Sequence, residues 1–146
     1  HPYGWVYRGD AIYLVAKRDK DGNIGLFRLE RIRDLEVSDN TFPEDLPDIS
    51  ELFRHSLGAF IGTKVYNVVI RYDNEIGDRV REGFGHIELE TVQKDGDSSE
   101  STMRISDLTS LCRIVFSYGG GVRIVSPPEA VDEMKKLLDG NASLYA

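Results

Sequence analysis

With a single cysteine, Cys112, among 146 residues, the chain cannot form an internal disulfide, and it lacks the paired thiols of a zinc site. Histidine is almost as scarce. His1, His55 and His86 lie far apart, and none has a partner at metal-ligand spacing. No apolar run approaches the roughly 18 residues that a membrane-spanning helix needs, and no charged-then-apolar leader opens the sequence. Positive charge is also short: 18 Lys and Arg stand against 25 Asp and Glu, a net charge of −7, which argues against a protein that coats nucleic acid by bulk attraction. What remains is 40% hydrophobic and 29% charged. That composition suits a globular protein of the cytoplasm with no membrane partner, long enough to bury about two thirds of the surface its unfolded chain exposes.

Catalytic chemistry is missing as well. There is no P-loop, and in "GGGVRIVS" the glycines follow a helix pattern and precede a strand pattern, the reverse of what a phosphate site at a helix N-terminus requires. The pairs Glu88/Glu90 and Asp132/Glu133 read as solvated charges. Asp95, Asp97, Ser98, Ser99 and Glu100 are acidic and hydroxylic, but they lack the ligand spacing and bidentate glutamate of an EF-hand loop. The expectation is a non-enzyme with no cofactor and no metal.

The charge that is present is unevenly placed. Residues 1–37 hold seven Lys and Arg against six Asp and Glu, a balance of +1, and residues 38–146 hold eleven against nineteen, or −8. A site for an anion therefore belongs to the first part. That part is rich in short β-type runs, "WVY", "AIYLVA" and "IGLFRL", with Asp21-Gly22 as a hairpin turn and "RIRDLEV" as a further strand. In an unbroken strand Phe27 and Leu29 share one face and Arg28 and Glu30 the other, so Arg31 would point inward with the apolar pair. A bend or bulge near Leu29 and Glu30 shifts the register by one residue and lets Arg28 and Arg31 converge. Trp5 reads as packing.

Residues 38–64 form a connector rich in turn formers. Asp48 and Glu51 make a capping box ahead of a helix of about ten residues with Ile49, Leu52, Phe53 and Phe60 as its apolar stripe, and "GTK" closes the segment. After it, "VYNVVIRY" is a strand with Tyr66, Val68, Ile70 and Tyr72 on one face. "DNEIGDRVREGF" has helical spacing, and "HIELETV" and "STMRIS" flank a turn at Asp95-Gly96. "DLTSLCRIVFSY" is an amphipathic helix with Leu108, Leu111, Cys112 and Val115 inward, stopped by Gly119-Gly120-Gly121. "VRIVS" is a strand. Ser126, Pro127 and Glu129 open a last helix that buries Val131, Met134 and Leu138 and ends at Gly140. The order β-α-β-β-α-β plus a helix is the split βαβ pattern of a ferredoxin-like sandwich.

The first 42 residues resemble the WYL domain of bacterial transcriptional regulators. The tripeptide that names the family appears as Ile12-Tyr13-Leu14, and its "frldRI" stretch as Phe27-Arg28-Leu29-Glu30-Arg31-Ile32. His1-Pro2-Tyr3-Gly4 matches the proline-centred segment that precedes them. The later βαββαβα order, with "YGGGVRIVSPPEAV", is similar to the C-terminal extension that accompanies many WYL domains.

The resemblance implies an α+β chain, a partial Sm-like, SH3-type small β-barrel over residues 1–43, a helical linker over 44–64 and a ferredoxin-like extension over 65–146. It also implies a ligand-sensing and dimerising region that works with a helix-turn-helix ahead of it, taking a single-stranded DNA or nucleotide effector and tuning operator binding by a homodimer. Tyr13, Arg28 and Arg31 match the family's aromatic and basic positions. Two departures stand out: Gly25 occupies a position where the family often has arginine, and the chain starts beyond the family's first strand, which leaves an open sheet edge. The alternative is an interaction and dimerisation module with no small ligand.

Overall fold

A computed structural model describes every residue except 9, 42–45, 59, 60, 63 and 95. Asp95 and Phe60, assigned above to a turn and a helix stripe, lie outside the described residues, as does Thr63 of "GTK". The chain is α+β and divides into two units, one holding His1–Arg54 and the other Ile61–Ala146, with 55–57 joining the second. Each unit has its own antiparallel sheet.

The first unit is a meander. β1 (Pro2–Arg8), β2 (Ala11–Lys17) and β3 (Ile24–Arg28) pair in that order, because each run is β-branched or aromatic and each connection is short. Gly22, at φ 70°, supplies the left-handed residue that the β2–β3 turn demands. The helix α1 (Ile49–Phe53) is five residues long, half the expected length, and Asp48 caps it by accepting from the backbone N–H groups of Ser50 and Glu51. It packs on β1 so closely that a Cβ at Gly4 would lie 2.6 Å from Ile49 Cδ1.

"RIRDLEV" does not form the expected strand. Leu29–Arg31 is a 3-10 turn closed by the Ile32 N–H donating to the Leu29 carbonyl, and Asp34 then takes φ 51°. A left-handed residue breaks extended backbone, and Leu35 and Val37 beyond it are exposed with no strand alongside among the described residues. The run has β-type composition, but among the described residues no strand pairs with it, so the expected strand does not form.

The second unit has β4 (Tyr66–Asp73), β5 (Glu90–Lys94), β6 (Ser98–Ile105) and β7 (Val122–Ser126) in the order β5-β6-β4-β7, with α2 (Gly77–Phe84), α3 (Leu108–Ser117) and α4 (Pro128–Ser143). Val68, Ile70 and Tyr72 alternate onto one face of β4 and are buried against Val80 and Phe84 of α2 and Leu111 and Val115 of α3. Tyr66, expected on that face, is partly buried beside the same cluster. The buried Tyr72 hydroxyl bonds the buried Ser101 Oγ at 2.8 Å, and Ser101 bonds Oγ1 of the exposed Thr91 at 2.7 Å, so the two buried hydroxyls are satisfied. Cys112 is buried where expected, 3.8 Å from the Ala130 carbonyl, and burial pushes its thiol up to about 11.

Three expectations for this unit need correction. Ser126 does not cap α4, since it ends β7 in register with Val69, and the helix begins behind Pro127 with no side-chain cap. The helix runs past Gly140 to Ser143 and buries only Ala130 fully, with Leu138 left 44% exposed, because a single strip of it meets α3 and β7. "HIELETV" contributes only its final residues to β5, its Ile87 being buried ahead of the strand.

Asp107 is the cap that the sequence pattern hid. Buried itself, it accepts from the Ser110 N–H at 3.0 Å and from the Ser110 hydroxyl at 2.5 Å, closing the first turn of α3. Asp107→Ala is therefore expected to cost about 1–2 kcal/mol of stability, from the typical value for a lost N-cap to the top of its range, measurable as a shifted urea midpoint.

Candidate functional site

In the first unit, β2 and β3 pair with Tyr13 directly opposite Arg28. Residues so opposed project to the same face, which they share with the pair Val15 and Leu26. Arg28 ends β3, Arg31 ends the 3-10 turn that follows, and both line the same depression. The expected register shift takes the form of a turn, not a bulge. Its result is a depression of about 440 Å³, within the range of small-ligand sites, lined by Tyr13, Leu26, Phe27, Arg28, Arg31 and Ile32 together with Arg33. All three residues singled out from the sequence line this one depression.

The three arginines are not equivalent. Arg33 is committed to the backbone, its Nη1 donating to the carbonyls of Glu30 at 2.8 Å and Ile32 at 3.0 Å, which braces the turn. Arg31 is exposed, and among the described residues no carboxylate pairs with it. Arg28 is the most enclosed. Its side chain is 27% exposed, with Nε 3.1 Å from Glu30 Oε2 and Nη2 4.0 Å from Asp10 Oδ1. That Nε is buried and makes no aligned hydrogen bond, so the Glu30 contact is a charge pair at hydrogen-bonding distance with poor direction. The sequence had Arg28 and Glu30 on one face of a strand; Asp10 was not legible, because its approach depends on the β1–β2 turn.

The opposite face of the same sheet is apolar. Trp5, Leu14 and Phe27 stand in register across β1, β2 and β3, Phe27 also bordering the depression, with Tyr7 opposite Ile12 in the next row. Trp5 is 58% and Tyr7 70% exposed, so the reading of Trp5 as packing is corrected: it lies on the face away from Val15. Gly25 lies on this face too, where a Cβ would meet the Phe27 ring at 3.1 Å. An arginine at that position would start from the face opposite Arg28.

Among the described residues no group of three or more His, Cys, Asp and Glu is arranged to hold a metal ion, and no helix is long and apolar enough to cross a membrane.

The WCX domain profile matches residues 64–140, more than half of the chain, and the WYL domain profile matches residues 1–37. The chain belongs to the family of WCX-domain proteins, with a WYL domain ahead of the WCX domain. Within that family the depression lies in the WYL segment, and the four-stranded sheet with its helices is the WCX segment. None of the curated proteins matches the chain. Among solved structures it is similar to proteasome accessory factor B/C (PafBC) of Arthrobacter aurescens, at 21% identity and a TM-score of 0.41. The match covers 91% of this chain and 20% of that one. The chain, with its WYL and WCX segments, thus spans about a fifth of the length of that structure.

Proposed function

We propose that the chain is the ligand-sensing and dimerisation region of a bacterial transcriptional regulator, non-enzymatic and cytoplasmic, in which Tyr13, Arg28 and Arg31 hold a nucleic-acid or nucleotide ligand. Ligand capture would tune DNA binding by the helix-turn-helix that the family places ahead of this region. One observation carries the reading: an aromatic ring and two guanidinium groups line a single depression in the WYL segment of a net acidic chain. Guanidinium forks grip phosphate oxygens with paired hydrogen bonds, and a tyrosine face stacks on a base for about 1–3 kcal/mol. The β5-β6-β4-β7 order supports a ferredoxin-like description of the second unit, and the short-looped meander supports an Sm-like description of the first.

The test is fluorescence anisotropy of a labelled single-stranded DNA titrated with the chain at several salt concentrations. Two or three phosphate contacts give a log–log slope of about −1.4 to −2.1. The second reading, an interaction and dimerisation module with no small ligand, is favoured by the exposed Trp5–Phe27 face. Absence of oligonucleotide binding at low salt, together with self-association in sedimentation, would replace the first reading with the second.

A further inference from the structure

A carboxylate offers a guanidinium much the same pair of oxygens that a phosphate does. Arg28 already faces two such groups, Glu30 at 3.1 Å and Asp10 at 4.0 Å. We propose that Glu30, backed by Asp10, is a built-in competitor for the groove's anionic ligand: a positioning residue that holds Arg28 and is displaced when a phosphate engages it. The proposal rests on the reading of the groove as a nucleic-acid or nucleotide site.

Exposure is distributed in the right sense. Glu30 is 67% exposed and Asp10 95% exposed, so either can swing into water, while Arg28 is held by its strand and largely enclosed. The exchange need not unfold the turn. Glu30 is tied at its backbone, where its carbonyl accepts from Arg33, so its side chain can leave with the turn intact. Charge bookkeeping points the same way: Arg28, Arg31 and Arg33 against Asp10 and Glu30 give +3 − 2 = +1 around the groove. A tethered carboxylate competes at high effective concentration, so a lone small anion gains little by replacing it. A ligand that reaches Arg28 and Arg31 together gains a second contact that Glu30 cannot match. The groove is thereby selective for chains of phosphates over single anions.

The experiment uses the full chain and a fluorescein-labelled oligothymidylate of about ten nucleotides, with inorganic phosphate as the single-anion competitor. Glu30→Gln is expected to tighten binding roughly two- to fivefold, the scale of one exposed charge pair, and Glu30→Gln with Asp10→Asn on the order of tenfold. Glu30→Asp should stay near the parent. The gain should shrink as salt rises toward 1 M, where the Debye length is about 3 Å, a dependence that a merely structural effect would not show. Phosphate should displace the oligonucleotide more readily from Glu30→Gln than from the parent. Asp10→Asn, at an exposed turn, serves as the second variant should Glu30→Gln fail to fold. If the parent binds and neither variant binds more tightly, the competitor is overturned and the groove reading stands. If only the double variant binds, both are supported. If no form binds at low salt, the groove reading falls and takes this proposal with it.

Discussion

Replacing Arg28 and Arg31 together by alanine is expected to weaken binding of a single-stranded oligonucleotide about 100-fold at low salt and to flatten the log–log salt dependence by about 1.4. The magnitude follows from two hydrogen bonds to charged groups at about 1.5 kcal/mol each, the low end of their range because Arg31 is exposed, which sum to about 3 kcal/mol or two decades in Kd. The slope change follows from two lost phosphate contacts at about 0.7 each on a single strand. Arg28→Lys should fall between the parent and Arg28→Ala, since an ammonium keeps the charge but not the fork. Among the described residues Arg31 makes no ion pair, and the ion pairs that Arg28 gives up are with two exposed carboxylates. The double variant should therefore keep its circular dichroism spectrum. A spectrum that collapses would assign the arginines to structure, and an unchanged affinity would remove them from the site.

Phe84→Ala in the WCX segment is expected to cost about 3–5 kcal/mol, the range for deleting a buried aromatic side chain, against a total stability that for most domains is only about 5–15 kcal/mol. Phe84 is among the largest fully buried side chains and packs with Ile70, Val80 and Leu111 in the cluster beneath β4. It also ends α2, where Gly85 at φ 56° accepts the left-handed turn and its N–H donates to the carbonyls of Arg81 and Glu82. The surroundings therefore have little freedom to collapse into the cavity. Urea titration of the whole chain should show the midpoint falling at nearly constant slope. A loss below about 1 kcal/mol would contradict the burial on which this core is described.

Elements were legible where one short-range rule sufficed. β4 announced itself through strict alternation over Val68, Ile70 and Tyr72, and α3 through the spacing of Leu111, Cys112 and Val115. Residues 32–37 misled for a physical reason. β-type composition describes a surface that wants a neighbour, and the backbone at Asp34 turns away before one is met. Trp5 misled similarly, because alternation says which residues share a face but not which face is covered. At the candidate site, Tyr13, Arg28 and Arg31 came from resemblance. The register explains how the first two meet, and the 3-10 turn how the third joins them. Asp10 could not be found from spacing, since its distance from Arg28 is set by a hairpin and by the pairing of two further strands.

The seclusion of Cys112 has a practical side. Thiol reagents attack the thiolate, and this sulfur is both enclosed and held in its protonated form at neutral pH, so maleimides should leave the natural sequence unlabelled. A substitution such as Val37→Cys, on the exposed stretch a few residues beyond Arg33, would then give a single attachment point for a fluorophore, and occupancy of the groove could be followed in real time without first removing a native thiol.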